Sequence, residues 1–310
     1  MPPWTLRRRI ALVALATACG AAACQRQERK AHKAARGVDL AVHEDGREPR
    51  RPLRYPAEPP AEQRMSLTLK VGMKMEVPGS PIPPVTLPGL RLIVDLAGKR
   101  AGADARYDFT VADADLVAAD AAPPGIVAEM RKGLPSLVGA AGSIVIDERG
   151  TQRELELALP PGLGQELSQF MNAARLAIGQ MAVPLPEHPI GVGAKWEVQD
   201  IVEQDGIRVR QKTYYELLAL DGTRAQVRTQ TVQSADRQRA PLPGLPDGVS
   251  AEVLSLHGSG SGEIEIDLRR LVPGSAREEV ETDVSFSIKQ GQTERVMSLT
   301  STAGMEIQPL

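Results

Sequence analysis

Apolar and polar positions alternate strictly from Met65 to Val77. Met65, Leu67, Leu69, Val71, Met73, Met75 and Val77 share one parity, and Ser66, Thr68, Lys70, Gly72, Lys74 and Glu76 share the other. Successive side chains on a strand point to opposite faces, so this run predicts a long strand with one buried and one wet face. Pro78–Pro88 holds five prolines, which cannot donate to a sheet ladder, and reads as a loop. Alternation at Leu90–Leu96 and Ala103–Val111 predicts two further strands around a turn at Gly98–Gly102. Ser143–Asp147 and Arg153–Leu159 read as a hairpin across Glu148-Arg149-Gly150.

Two stretches change period. Leu163, Leu167, Phe170, Met171, Ala174, Ile178 and Met181 recur at spacings of three and four, which predicts an amphipathic helix of about five turns after Pro160-Pro161. Pro123-Pro124 starts a shorter helix over Gly125–Lys132, because proline is tolerated in a first turn. After Pro189 the period of two returns. Trp196–Glu203, Ile207–Leu220 and Thr223–Ser234 are joined at Asp205-Gly206 and Asp221-Gly222, and Asp-Gly between alternating runs is a strong hairpin signal. Glu252–Leu268, Arg277–Lys289 and Thr293–Ile307 complete the series.

The fold class is therefore α+β: a long, curved, mostly antiparallel sheet of about eleven strands, with one long and one short helix covering its concave face. Residues 65–310 read as a single domain, with two abutting domains split near Pro184 as the alternative. Leu254, Leu256, Gly258, Gly260, Gly262, Ile264, Ile266 and Leu268 share a face, and its three glycines mark a sharp bend or a close approach.

Ahead of this body the pattern is different. Arg7, Arg8 and Arg9 precede an apolar run ending in small residues and Cys19, with Ala21-Ala22-Ala23 leading into Cys24. A charged region, a short apolar region and a small-residue end describe a secretory signal over residues 1–18. At about 14 apolar residues it is shorter than the ~20 of a spanning helix. The placement of the cysteines resembles the lipobox of bacterial lipoproteins, which implies lipidation at Cys19, or alternatively Cys24, and a membrane anchor at the N-terminus. The expected location is the periplasmic face of the outer membrane or the cell surface. Residues 19–64, with Pro49, Pro52, Pro56, Pro59, Pro60 and many arginines, read as a disordered tether.

Composition narrows the chemistry. The chain is 42% hydrophobic and 25% charged, an ordinary globular balance. Its only cysteines lie within the first 24 positions, so the body has no disulfide, Cys-ligated metal or nucleophilic thiol. Residues 65–310 carry 24 Lys and Arg against 32 Asp and Glu, a net −8, and the whole chain has only two Trp, four Tyr and three Phe. A nucleic-acid partner needs basic surface and stacking platforms, so that class drops out. His188 and His257 have no shared metal spacing, and Gly258-Ser-Gly-Ser-Gly262 lacks the central serine of a nucleophile elbow. No metal, cofactor or catalytic constellation is expected. The stripe Leu163, Leu167, Phe170, Met171 and Ile178 is the candidate wall of an apolar ligand pocket, or else plain core.

Pro184-Leu-Pro186-Glu-His-Pro189-Ile-Gly191-Val-Gly193-Ala-Lys-Trp196, followed by Thr213-Tyr-Tyr215, resembles the signature of an uncharacterised family of bacterial secreted and lipoprotein sequences. There a P-x-P-x-x-P-V-x-V-G-x-x-W stretch precedes an antiparallel meander. Gly191 departs from the pattern, and the family carries no known activity, so the resemblance transfers no catalytic residue. Pro186, Pro189, Gly193 and Trp196 are its structural signature here. The order of elements is loosely similar to the half-barrel outer-membrane lipoprotein carriers, an analogy of fold alone. The expectation is a lipid-anchored, non-enzymatic envelope protein binding a lipid, a lipoprotein or a protein partner. The alternative is an envelope hydrolase working through Asp, Glu, Ser or Lys.

Overall fold

The computed structural model describes residues 39–310, apart from 78–79, 82–84, 119, 121, 205 and 241–248. The leader and both candidate lipidation cysteines lie outside the described residues.

Strands β1 (Asp39–Glu44), β2 (Glu62–Val77), β3 (Ser80–Pro81), β4 (Val85–Thr86), β5 (Gly89–Ala101) and β6 (Asp104–Val117) come first. Helix α1 (Pro124–Leu137), the hairpin β7 (Ala141–Ile146) and β8 (Gln152–Leu157), and helix α2 (Gln165–Gly179) follow. The C-terminal half is all strand: β9 (Lys195–Gln204), β10 (Ile207–Asp221), β11 (Arg224–Ala235), β12 (Gln238–Ala240), β13 (Val249–Asp267), β14 (Ser275–Gln290) and β15 (Thr293–Pro309). They form one antiparallel sheet in the order β1-β9-β10-β11-β13-β14-β15-β2-β5-β6-β7-β8. The sheet is open, and β1 and β8 are its two edges.

All eleven expected strands are present. The total of fifteen exceeds the expected number because β1, β3, β4 and β12 are added. Three of these have only two or three residues, too few for alternation to show. The proline-rich loop after β2 contributes β3 and β4, whose short pairings to β2 place little demand on backbone donors. Helix α1 runs to Leu137, past the expected end, with Pro135 in its last turn; burial of Met130 and Leu137 outweighs the weak local preference.

β15, the last strand, pairs with β2, so strands from either side of Pro184 are neighbours in one sheet. The body is not divided there. It also begins earlier than expected, because residues 39–64 are not a free tether. β1 pairs with β9 through Leu40↔Val198 and Val42↔Trp196, and Leu53 and Tyr55 are buried in the main core. The Tyr55 hydroxyl accepts the Val183 N–H at 3.0 Å, and the Arg54 guanidinium donates to the carbonyls of Pro186 and Glu187. Composition suggested disorder, but two large apolar side chains and a waiting strand edge are enough to order the segment.

Two apolar clusters are buried against the sheet. The larger is built by Leu90, Leu92, Val94 and Leu96 of β5, Tyr107 and Phe109 of β6, Ile144 and Ile146 of β7, and the inward side of α2. Phe170 and Met171 of α2 are 0% and 1% exposed, and each contributes about 2–3 kcal/mol of burial. The smaller cluster, at the far ends of the long strands, joins Ile207, Val209, Val253, Leu256, Val284 and Phe286.

Candidate functional site

Between the two clusters the inward positions of β10, β11, β13 and β14 turn polar. The register sets Tyr215 opposite Thr229, Thr229 opposite Gly262, and Gly262 opposite Glu278. One step along, Thr213, Thr231, Gly260 and Val280 form the next row, and then Gln211, Gln233, Gly258 and Thr282. These rows point the same way as Val209, Leu217 and Val227, which are core.

The glycines let polar side chains meet over β13. Thr231 Oγ1 donates to Glu278 Oε1 at 3.0 Å, and Thr282 Oγ1 donates to Gln233 Oε1 at 3.1 Å. Gln233 Nε2 in turn donates to Gln211 Oε1 at 2.9 Å. A Cβ on Gly258 would lie 2.8 Å from Gln233 Oε1, and one on Gly262 would lie 2.8 Å from Thr229 Oγ1. The glycine run therefore serves a close approach rather than a bend alone.

This band floors a cavity of about 500 Å³. Leu155 of β8 and Leu176 and Gly179 of α2 wall it on one side, and Val198 and Asp200 of β9 on the other, with Tyr215, Thr229, Ile264 and Glu278 beneath. The stretch of β9 from Asp200 to Glu203, beyond its pairing with β1, also lines it. Burial raises the Glu278 carboxyl against the lowering effect of its Thr231 bond. Partial desolvation likewise raises Asp200 against its bond from the Ile201 N–H. Neither carboxyl acts on the other.

The expected pocket residues stand elsewhere. Leu167, Phe170, Met171 and Ile178 are buried in the main core, and Leu163 packs at its margin; none lines the cavity. α2 presents its inward side to β2 and its C-terminal flank, Arg175, Leu176, Gly179 and Gln180, to the cavity. Helical periodicity marks which side is buried, but not whether a neighbour or an empty space covers it. The sequence pattern does not single out Glu278, Asp200, Thr229 or Thr231. Their signal was phase: each is a polar residue in register with apolar ones, Glu278 with Val284 and Phe286, and Asp200 with Val198 and Val202.

The signature residues shape the lead-in to β9. Trp196 is fully buried, stacks on Tyr215 at 5.4 Å, and donates its Nε1–H to the Pro184 carbonyl at 2.8 Å. Gly193 sits at φ +87° and donates its N–H to the Leu217 carbonyl at 2.7 Å. Pro186 supplies a carbonyl to Arg54, and Pro189 belongs to the same segment. His188 is half exposed and meets Asp45 at 2.9 Å, while His257 is exposed on β13.

A second, wider groove lies at the end of the strands around Gln63, Arg64, Asp95, Asp267 and Arg269. Arg64 pairs there with Asp95 at 3.2 Å and Arg269 with Asp267 at 2.6 Å, Arg224 and Arg270 also line it, and its apolar wall is smaller than that of the first cavity. The cavity beside α2, with an apolar wall over a polar floor, is the better candidate.

A search of curated proteins finds no match to the chain. Residues 162–270, from the lead-in of α2 through the end of β13, match a family described as a family of unknown function, DUF6263.

Proposed function

We propose that the domain is a non-enzymatic binding module that takes an amphipathic small molecule, such as a lipid or a lipidated segment, into the cavity beside α2. One observation carries this reading: a cavity of about 500 Å³ lies beside α2, between its C-terminal flank and the strands. That volume lies within the roughly 300–1,000 Å³ of ligand sites. The lining is two-sided, with Leu155, Leu176, Val198 and Ile264 for an apolar body and the Thr229–Glu278 band for a polar end. The lipobox-like leader supports export and anchoring at Cys19 or Cys24 by acyl chains, which would hold the module at the cell envelope.

The test is fluorescence titration with N-phenyl-1-naphthylamine, a neutral apolar probe. Leu176→Trp fills the cavity from α2 and should abolish binding while leaving the melting temperature near that of the parent. Unchanged probe binding in that variant would remove the reading. Metabolic labelling with an alkyne fatty acid in Cys19→Ser and Cys24→Ser chains tests the anchor.

The second reading is a hydrolase, and one observation favours it: two raised carboxyls, Glu278 and Asp200, line one cavity. Each is raised by its own desolvation rather than by the other, which is not the arrangement of a proton-sharing pair. Release of product from ester or glycoside substrates that Glu278→Gln abolishes would favour it.

A further inference from the structure

The floor of the cavity is chemically asymmetric. Glu278 receives a single hydrogen bond, from Thr231 to one of its two oxygens. Among the described residues no Lys, Arg or His forms an ion pair with it. Asp200, on the β9 wall, is exposed and in register with Gln211, and it accepts the Ile201 N–H at 2.6 Å. In the same register row as Glu278 stands Thr229, 2% exposed, whose hydroxyl is buried with no hydrogen-bond partner. Tyr215, backed by Trp196 on one face, completes the wall.

A part-buried carboxylate without a countercharge is costly, and an orphaned buried hydroxyl adds to that cost. Arg175 and Arg208 also line the cavity, but neither answers this need. Arg208 is exposed, out of phase with the inward Val209 and Gln211, and Arg175 belongs to the α2 wall. Neither forms an ion pair with Glu278 or Asp200.

Taking the cavity as the ligand site proposed above, we infer that the ligand carries a primary ammonium group on an apolar body. Glu278 is its countercharge, and the Thr229 hydroxyl is an acceptor for one ammonium N–H. A primary ammonium has three donors for these oxygens, and an aromatic wall beside it adds a cation–π contribution. A fatty acid or an anionic lipid would place a second negative charge beside Glu278.

The experiment is displacement of bound N-phenyl-1-naphthylamine by four competitors built on a ten-carbon chain: decylamine, decyltrimethylammonium, decanol and decanoate. Decylamine should displace the probe at a concentration at least about tenfold lower than decanol, with decanoate the weakest. In Glu278→Gln, whose amide oxygen keeps the Thr231 bond, decylamine should fall to the level of decanol while the probe still binds. Equal or better displacement by decanol or decanoate overturns the inference and leaves the binding reading intact. Equal displacement by the trimethylated amine overturns the N–H contact with Thr229. A probe that never binds removes the binding reading, and the inference with it.

Discussion

Thr231 and Glu278 belong to strands that are not neighbours, yet the Thr231 hydroxyl donates to the Glu278 carboxylate at 3.0 Å. The contact spans β13, which lies between them and is glycine at 258, 260 and 262. A side chain on β13 would stand between the two groups, so the glycine run and the polar floor are one feature.

Gly260→Val tests that directly. Its Cβ would lie 2.6 Å from Val280 Cγ2 and 2.7 Å from the Glu279 carbonyl oxygen, and the latter is backbone that cannot rotate away. Overpacking of this kind costs about 1–3 kcal/mol. The melting temperature should fall by roughly 2–12 °C, read by circular dichroism. A variant that melts with the parent would show that the strand accommodates the side chain by shifting.

Glu278 also predicts a pH dependence. Its carboxyl is raised by burial, so the folded state holds the proton more tightly than the unfolded chain. Its contribution to stability is full below the unfolded value of 4.5 and is lost as pH rises through the folded value. Glu278→Gln should therefore melt above the parent near pH 8 and converge with it near pH 4. An offset that is constant across pH would show that the carboxyl does not titrate in this way.

Glu197 has the opposite sign. Hydrogen bonds from Lys212 and Gln199, with His43 at 3.2 Å, hold its carboxyl down to about 2. Its contribution is present above the unfolded value of 4.5 and is lost as pH falls toward 2. Glu197→Gln should melt below the parent at neutral pH, and the gap should close on acidification. Thermal melts from pH 7 to pH 2.5 check this.

Tyr55→Phe isolates the docking of the N-terminal segment. The change removes the acceptor of the buried Val183 N–H and keeps the ring in the core. Leaving that donor unpaired costs about 1–3 kcal/mol. Urea denaturation should show a lower midpoint at unchanged slope. No loss would mean that the Val183 N–H finds another acceptor.

Gly191→Ala separates docking from core stability. A Cβ there would lie 1.9 Å from the Arg47 carbonyl oxygen, so the segment after β1 must move away. Limited proteolysis should cut between residues 44 and 54 faster than in the parent. Equal protection would show that the crossing of the two segments tolerates a side chain.

Much of the fold was legible because strands and helices leave a local record. The alternation of Met65–Val77 becomes β2, and the three-and-four spacing from Leu163 to Met181 becomes α2 with Phe170 and Met171 buried. The site left a fainter trace. Glu278 and Asp200 occupy inward positions, but on a single strand a polar residue in an apolar phase is indistinguishable from a strand end or a bulge. Only the register lines Glu278 up with Gly262, Thr229 and Tyr215 in one floor, with Asp200 opposite Gln211 at its side.

The sequence by itself determined the α+β class, the eleven long and short strands with their hairpins, and the buried side of α2, because each depends on periodicity within one segment. Tertiary structure decided the rest. It brought β15 against β2, recruited residues 39–64 to the body, and left a cavity on the flank of α2 rather than beneath its apolar stripe. Those outcomes depend on which surfaces meet across long stretches of chain, and no local pattern encodes the volume left between them.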